Sequence, residues 1–117
     1  IAAVPPTQGL AESHGEITEA IWLDPATAIT RCRREEIALP PPTWTTLRML
    51  ESFSSIENVY RWAVGRRVVL VQPKFKKGVD TAVLTLPGDE SYPPIPGFKT
   101  PKETKFVLAD GRWRPIS

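Results

Sequence analysis

Apolar positions along the chain fall into two spacings, one suited to helices and one to strands. The opening "IAAV" reads as the end of a strand closed by Pro5 and Pro6, and a polar loop follows, punctuated by Gly9 and Gly15. A short buried strand is expected around Ile21, Trp22 and Leu23. Asp24 followed by Pro25 is a helix start signal: a carboxylate accepts from free N–H groups, and proline fills the first helical position. Ala28, Ile29 and Cys32 supply that helix's apolar stripe, with Arg31, Arg33, Arg34 and Glu35 largely on the wet side.

Pro40, Pro41 and Pro42 fix φ and bias each preceding residue away from helix, so they predict a stiff extended corner. Thr43 is the expected N-cap of a second helix, whose apolar side recurs at Trp44, Leu47, Leu50 and Phe53. "SSIE" matches a capping box of Ser54 with Glu57, opening a third helix striped by Ile56, Val59, Tyr60, Ala63 and Val64. Gly65 suits its C-cap, and Arg66 and Arg67 suit the negative end of its dipole. The second and third helices are expected to pack on a sheet as a hairpin.

Beyond Arg67 the pattern is extended. "RVVLVQP" and "TAVLTLP" read as strands joined by the basic loop "KFKKGVD". A proline- and glycine-rich surface connection, "GDESYPPIPGFKTPKE", leads to "KFVLADGRWRP", a hairpin turning at Asp110-Gly111. Helices and strands in separate runs make the fold class α+β, a single domain over residues 1–117.

Composition narrows the function classes. At 117 residues, 41% apolar and 24% charged, the chain is of globular type, and it has no apolar run long enough to cross a bilayer. Its net charge of +2 gives little ground for nucleic acid. One cysteine, Cys32, makes a reducing cytoplasmic setting the default. Because "IAAV" begins in mid-strand, further residues are expected ahead of Ile1.

Candidate chemistry is sparse. Zinc needs three or four ligands, and His14 and Cys32, the soft candidates, lie in different elements. His14 reads as an exposed loop histidine and Cys32 as core. Glu12, Glu16 and Glu19 flank the first loop; carboxylates there either hold magnesium or keep the loop soluble, with solubility the plainer role. Glu19, at the edge of an apolar strand, is the best placed of them. Lys74, Lys76 and Lys77 are either a phosphate-attracting patch or a solvated turn, and the turn is favoured. Trp113 between Arg112 and Arg114 fits inward packing better than base stacking.

Several pieces, in order, resemble the carboxyl-terminal half of a Nudix hydrolase of the branch that includes the peroxisomal coenzyme A diphosphatases. They are "AAVPPTQG", "EITEAIWLDPATAI", "LPPPTWTTLRML", "VVLVQP", "VLTLPGDESYP" and "VLADGRWR". The resemblance implies part of a mixed Nudix sheet with about three short helices. It also implies magnesium-dependent cleavage of a nucleoside diphosphate linked to another group, coenzyme A-like compounds being one candidate.

The family's defining glutamate-rich box, which holds the magnesium, has no match here, and Arg34, Glu35 and Glu36 in "RREEIALPP" are a decoy. The box precedes the resembling region in the family, so an amino-terminal portion of the same protein is expected to carry it. Without it, no catalytic residue or metal ligand is assigned to this chain. Magnesium stabilises charge on the transferring oxygens and activates water, and the chain alone is expected to be inert. Glu19, Pro42 and Thr43 are the implied substrate-binding residues, Glu19 as an auxiliary carboxylate and the Pro41-Pro42-Thr43 corner as a border of the pocket. The partners expected are a small nucleotide-type substrate and the missing portion, with no membrane. The alternative is a non-catalytic Nudix-like interaction or accessory domain, since similar sequences are found joined to metallo-β-lactamase-type hydrolases. A nucleic-acid module ranks last.

Overall fold

A computed structural model of the chain describes residues 4–5 and 19–116. Three helices precede four strands: α1 (Pro25–Arg33), α2 (Pro41–Leu50), α3 (Ile56–Val64), β1 (Lys74–Lys77), β2 (Ala82–Thr85), β3 (Lys105–Ala109) and β4 (Arg112–Ile116). The fold is α+β, as the pattern predicts.

Helix α1 starts where the sequence says. The Thr27 amide donates to Asp24 at 2.8 Å and its hydroxyl donates to the other carboxylate oxygen at 2.6 Å. Ala28, Ile29 and Cys32 are buried. Helix α2 begins three residues earlier than expected. Pro40 is the extended cap residue (φ −66°, ψ 155°), while Pro41 and Pro42 lie inside the first turn. The amides of a first turn have no intrahelical acceptor, so prolines lose nothing there, and their φ is already helical. Thr43 is therefore a helical residue, not the cap. The α3 cap also moves by one. Ser55 accepts from the Asn58 amide at 3.2 Å, and Ser54 accepts from the Asn58 side chain at 2.8 Å.

Strands β1 to β4 pair in chain order, every pairing among the described residues antiparallel. The β3–β4 hairpin turns on Asp110 (φ 53°) and Gly111 (φ 72°), the doubly left-handed turn that Asp-Gly favours. No parallel pairing, which a mixed sheet requires, occurs among the described residues.

Two expected strands are absent. Residues 20–23 are irregular, with Ile21 and Trp22 exposed, and no strand among the described residues pairs with them. Residues 67–73 are also irregular: Val68 and Leu70 are 93% and 86% exposed. The strand begins instead in the basic segment, because Lys77 pairs with Ala82 across a tighter turn closed by Gly78 N–H to Thr81 C=O at 2.7 Å. All four β1 residues are exposed. An edge strand has one neighbour only, and lysines are tolerated there where a central strand would exclude them.

Ile29, Cys32, Trp44, Leu86 and Phe106 form the core, with Leu39, Leu47, Leu84 and Trp113 packed around it. It is therefore α1 and α2, not α2 and α3, that cover the sheet. Helix α3 buries no residue. A tilted contact between Phe53 and Trp62, ring centres 5.4 Å apart, ties it to the end of α2. The fixed α2 axis and the returning chain after β2 then frame the site.

Candidate functional site

Trp44 and Arg48 stand one turn apart on α2 and so share a face. The proline-rich connection passes that face and delivers Glu103 to it. Glu103 accepts from the Trp44 indole at 3.3 Å and from Arg48 Nε at 3.1 Å, while its other oxygen lies 3.0 Å from Arg48 Nη2. Arg33 of α1 approaches to 3.7 Å. Both members of the central pair are largely shielded, with side-chain exposures of 13% for Arg48 and 11% for Glu103. Burial alone would push the Glu103 carboxyl up. The hydrogen bonds from Arg48 and Trp44 and the charges of Arg48 and Arg33 outweigh it and hold the carboxyl below its usual value. Arg48, bonded also to Glu51, is held above its ordinary value chiefly by Glu103.

A cleft opens on each side of this pair. The smaller, about 280 Å³, lies between Trp44, Glu103 and the arginines of α1 and β4. Two of its cations are committed to the protein: Arg112 forks onto the Ile37 carbonyl at 3.2 and 3.3 Å, and Arg114 binds Glu35 at 2.9 Å. The third, Arg33, lies over the Trp44 ring, 5.5 Å from its centre, and faces Glu103. That side of the pair is a clamp between α1, α2 and the last hairpin.

The larger cleft, about 490 Å³, has α2 as one wall and residues 98–102 as the other. Met49, Phe98 and Pro101 make much of it apolar, whereas exposed Lys99 and Lys102 stand on its polar border. Neither lysine forms an ion pair among the described residues, in contrast to Arg48, which faces two carboxylates. Thr45 also lines it, and its buried hydroxyl has no hydrogen-bond partner. Thr100 is pinned beneath Gly88: a Cβ on that glycine would sit 2.3 Å from Thr100 Cγ2. Such a volume is in the range of small-molecule pockets, and its mix of apolar wall, hydroxyl and unpaired cations suits an anionic ligand with a partly apolar body.

The residues expected to bind substrate are not in this cleft. Pro42 and Thr43 are exposed together in the first turn of α2, where the Pro42 carbonyl accepts from Thr46 at 3.0 Å. Glu19 is exposed in the irregular segment before α1, and no hydrogen bond or ion pair joins it to Pro42 or Thr43. Glu12 and Glu16 lie outside the described residues, as does His14. Cys32 is buried, as expected of a core residue. Among the described residues no group of three histidine, cysteine or carboxylate side chains converges as a metal site requires, so these residues do not fit magnesium.

Glu103, Lys99 and Lys102 were hidden to sequence reasoning inside a stretch that reads as a surface connection. The partners of Glu103 are 55 and 59 residues distant, and no periodicity links them to it. The one available signal was indirect: a core tryptophan needs an acceptor for its indole N–H.

The chain is similar to acyl-coenzyme A diphosphatase NUDT19 of three vertebrates. It is 30% identical to the Gallus gallus protein over 95 residues, which cover 79% of this chain and 25% of that one. It is 29% identical to the Homo sapiens protein over 105 residues, 83% and 28% of the two chains. The Xenopus laevis protein is 29% identical over 98 residues, 81% and 26%. The chain thus spans about a quarter of the length of these relatives. No family model matches it, and no solved structure matches it.

Proposed function

We propose that this chain is the later portion of a Nudix hydrolase that cleaves the diphosphate of coenzyme A-like compounds. The observation that carries the proposal is similarity to acyl-coenzyme A diphosphatases along about four-fifths of the chain. The larger cleft supports it, since a coenzyme A thioester is a polyanion with a partly apolar arm.

The ion such chemistry uses is magnesium, and in this reading its carboxylates come from an amino-terminal portion of the same protein. Bound there, magnesium would offset charge on the diphosphate oxygens. The chain's own contribution is binding and positioning. Residues 98–102 and α2 hold substrate, and the Arg48–Glu103 pair anchors one wall to the other. Pro42, Thr43 and the auxiliary carboxylate Glu19 lie outside that cleft and would meet the part of the substrate that extends beyond it.

The gene sequence ahead of Ile1 and an assay of its full product test the proposal together. A glutamate-rich helix and magnesium-dependent release of adenosine 3′,5′-bisphosphate from acyl-coenzyme A are expected. A full product with neither would leave the chain a binding or accessory domain.

A further inference from the structure

We infer that the cleft between α2 and residues 98–102 seats the phosphopantetheine half of the substrate, with Lys99 and Lys102 on its phosphate. The inference rests on the function proposed above and assigns one half of that substrate to one place. Coenzyme A divides at its diphosphate into two unlike halves. One is an adenosine carrying phosphates. The other is a flexible chain with a geminal dimethyl group, a hydroxyl and two amides, and it ends in a phosphate.

The cleft's chemistry discriminates between these halves. A purine site needs a broad flat aromatic face and paired donors and acceptors for the ring edge. Phe98 is the one aromatic side chain lining this cleft, and no asparagine, glutamine or aspartate lines it. A pantetheine arm asks for aliphatic walls with scattered hydroxyls. Met49 and Pro101 provide the first, and Thr45 and Thr100 the second.

Two features have no internal explanation unless a ligand comes. The Thr45 hydroxyl is buried without a partner, a cost that an amide of the arm would relieve. Lys99 and Lys102 stand three residues apart and neither forms an ion pair among the described residues, while the nearby carboxylates, Glu51 at the end of α2 and Glu103 beside Lys102, are both taken by Arg48. Arg48 so neutralised leaves the lysines as the cleft's available charge for an anion.

Calorimetric titration of the full gene product with 4′-phosphopantetheine, and separately with adenosine 3′,5′-bisphosphate and inorganic phosphate, tests the assignment. Phosphopantetheine is expected to bind at least about tenfold more tightly than either comparison ligand. The exposed pair change Lys99→Glu with Lys102→Glu should weaken it about tenfold or more while circular dichroism stays unchanged. Thr45→Val should weaken it a further few-fold without loss of thermal stability. The assignment is overturned if phosphopantetheine fails to bind, if its affinity ignores both sets of changes, or if adenosine bisphosphate binds as tightly and responds to the same lysines. The titration involves no turnover. A full product that binds phosphopantetheine this way while hydrolysing nothing keeps the assignment and loses the hydrolase.

Discussion

Arg48 and Glu103 meet across 55 residues of sequence through a hydrogen bond from Nε at 3.1 Å and an ion-pair contact from Nη2 to the other carboxylate oxygen at 3.0 Å, in a place that water scarcely reaches. This fork joins the middle of α2 to the approach of β3. It is the polar counterpart of the Trp44–Phe106 core beside it. Removing one member leaves the other charged and shielded. Glu103→Ala is expected to cost about 3 kcal/mol in urea unfolding. The double change Arg48→Met with Glu103→Leu should cost less than the sum of its two single changes, because no unpaired charge remains.

Acid should find the same fork. The Glu103 carboxyl titrates below its ordinary 4.5 in the folded chain, so its contribution is fully present above about pH 4.5 and drains as pH falls through the folded value. Asp24, Glu35 and Asp89 are lowered as well, by bonds to Thr27, Arg114 and Ser91 respectively, and act in the same direction. Unfolding free energy measured downward from pH 5 should therefore fall. Glu103→Gln should make that fall shallower without removing it.

Gly88 has φ of +106° and no room for a side chain. Gly88→Ala is expected to cost about 2 kcal/mol or more, from backbone conformation and from displacing Thr100. Adding Thr100→Ala takes away the closest clashing atom and should recover part of the loss. The backbone share should persist, and urea midpoints of the two variants separate the shares.

Thr45→Val is the reverse case. It replaces a buried unsatisfied hydroxyl with a methyl group of similar size. The unliganded chain should be unchanged or more stable by about 1 kcal/mol, read as a rise in melting temperature. A clear loss would mean that the hydroxyl has a partner in solution.

Cys32, on the buried face of α1, should react with an aromatic disulfide reagent only as fast as the chain opens. Labelling followed through a urea series should track unfolding.

Local rules served well where the deciding contacts were local. Asp24-Pro25 marks a cap whose partner is three residues on, and Asp110-Gly111 marks a turn whose geometry those two residues dictate alone. They misled where a neighbour decided. The β-branched run 67–71 has the composition of a strand, yet the ladder forms on Lys74–Lys77, because β2 offers its partners there. Helix α3 has the cleanest apolar stripe of the three and fully buries none of it. Prolines at 40–42 read as a barrier before a helix, when two of them are the helix. The cleft could not be foreseen, since its far wall carries no regular pattern at all.

The three prolines also decide which part of the cleft can yield. Each has its φ torsion locked by the ring, and below them Trp44 and Arg48 are both bonded to Glu103, so α2 has no pivot on which to swing. Across from it, Gly97 (φ 83°) precedes the stretch that supplies the opposite side. Any adjustment to a guest then falls to the few residues between Gly97 and the anchored Glu103, against a helix that stays still.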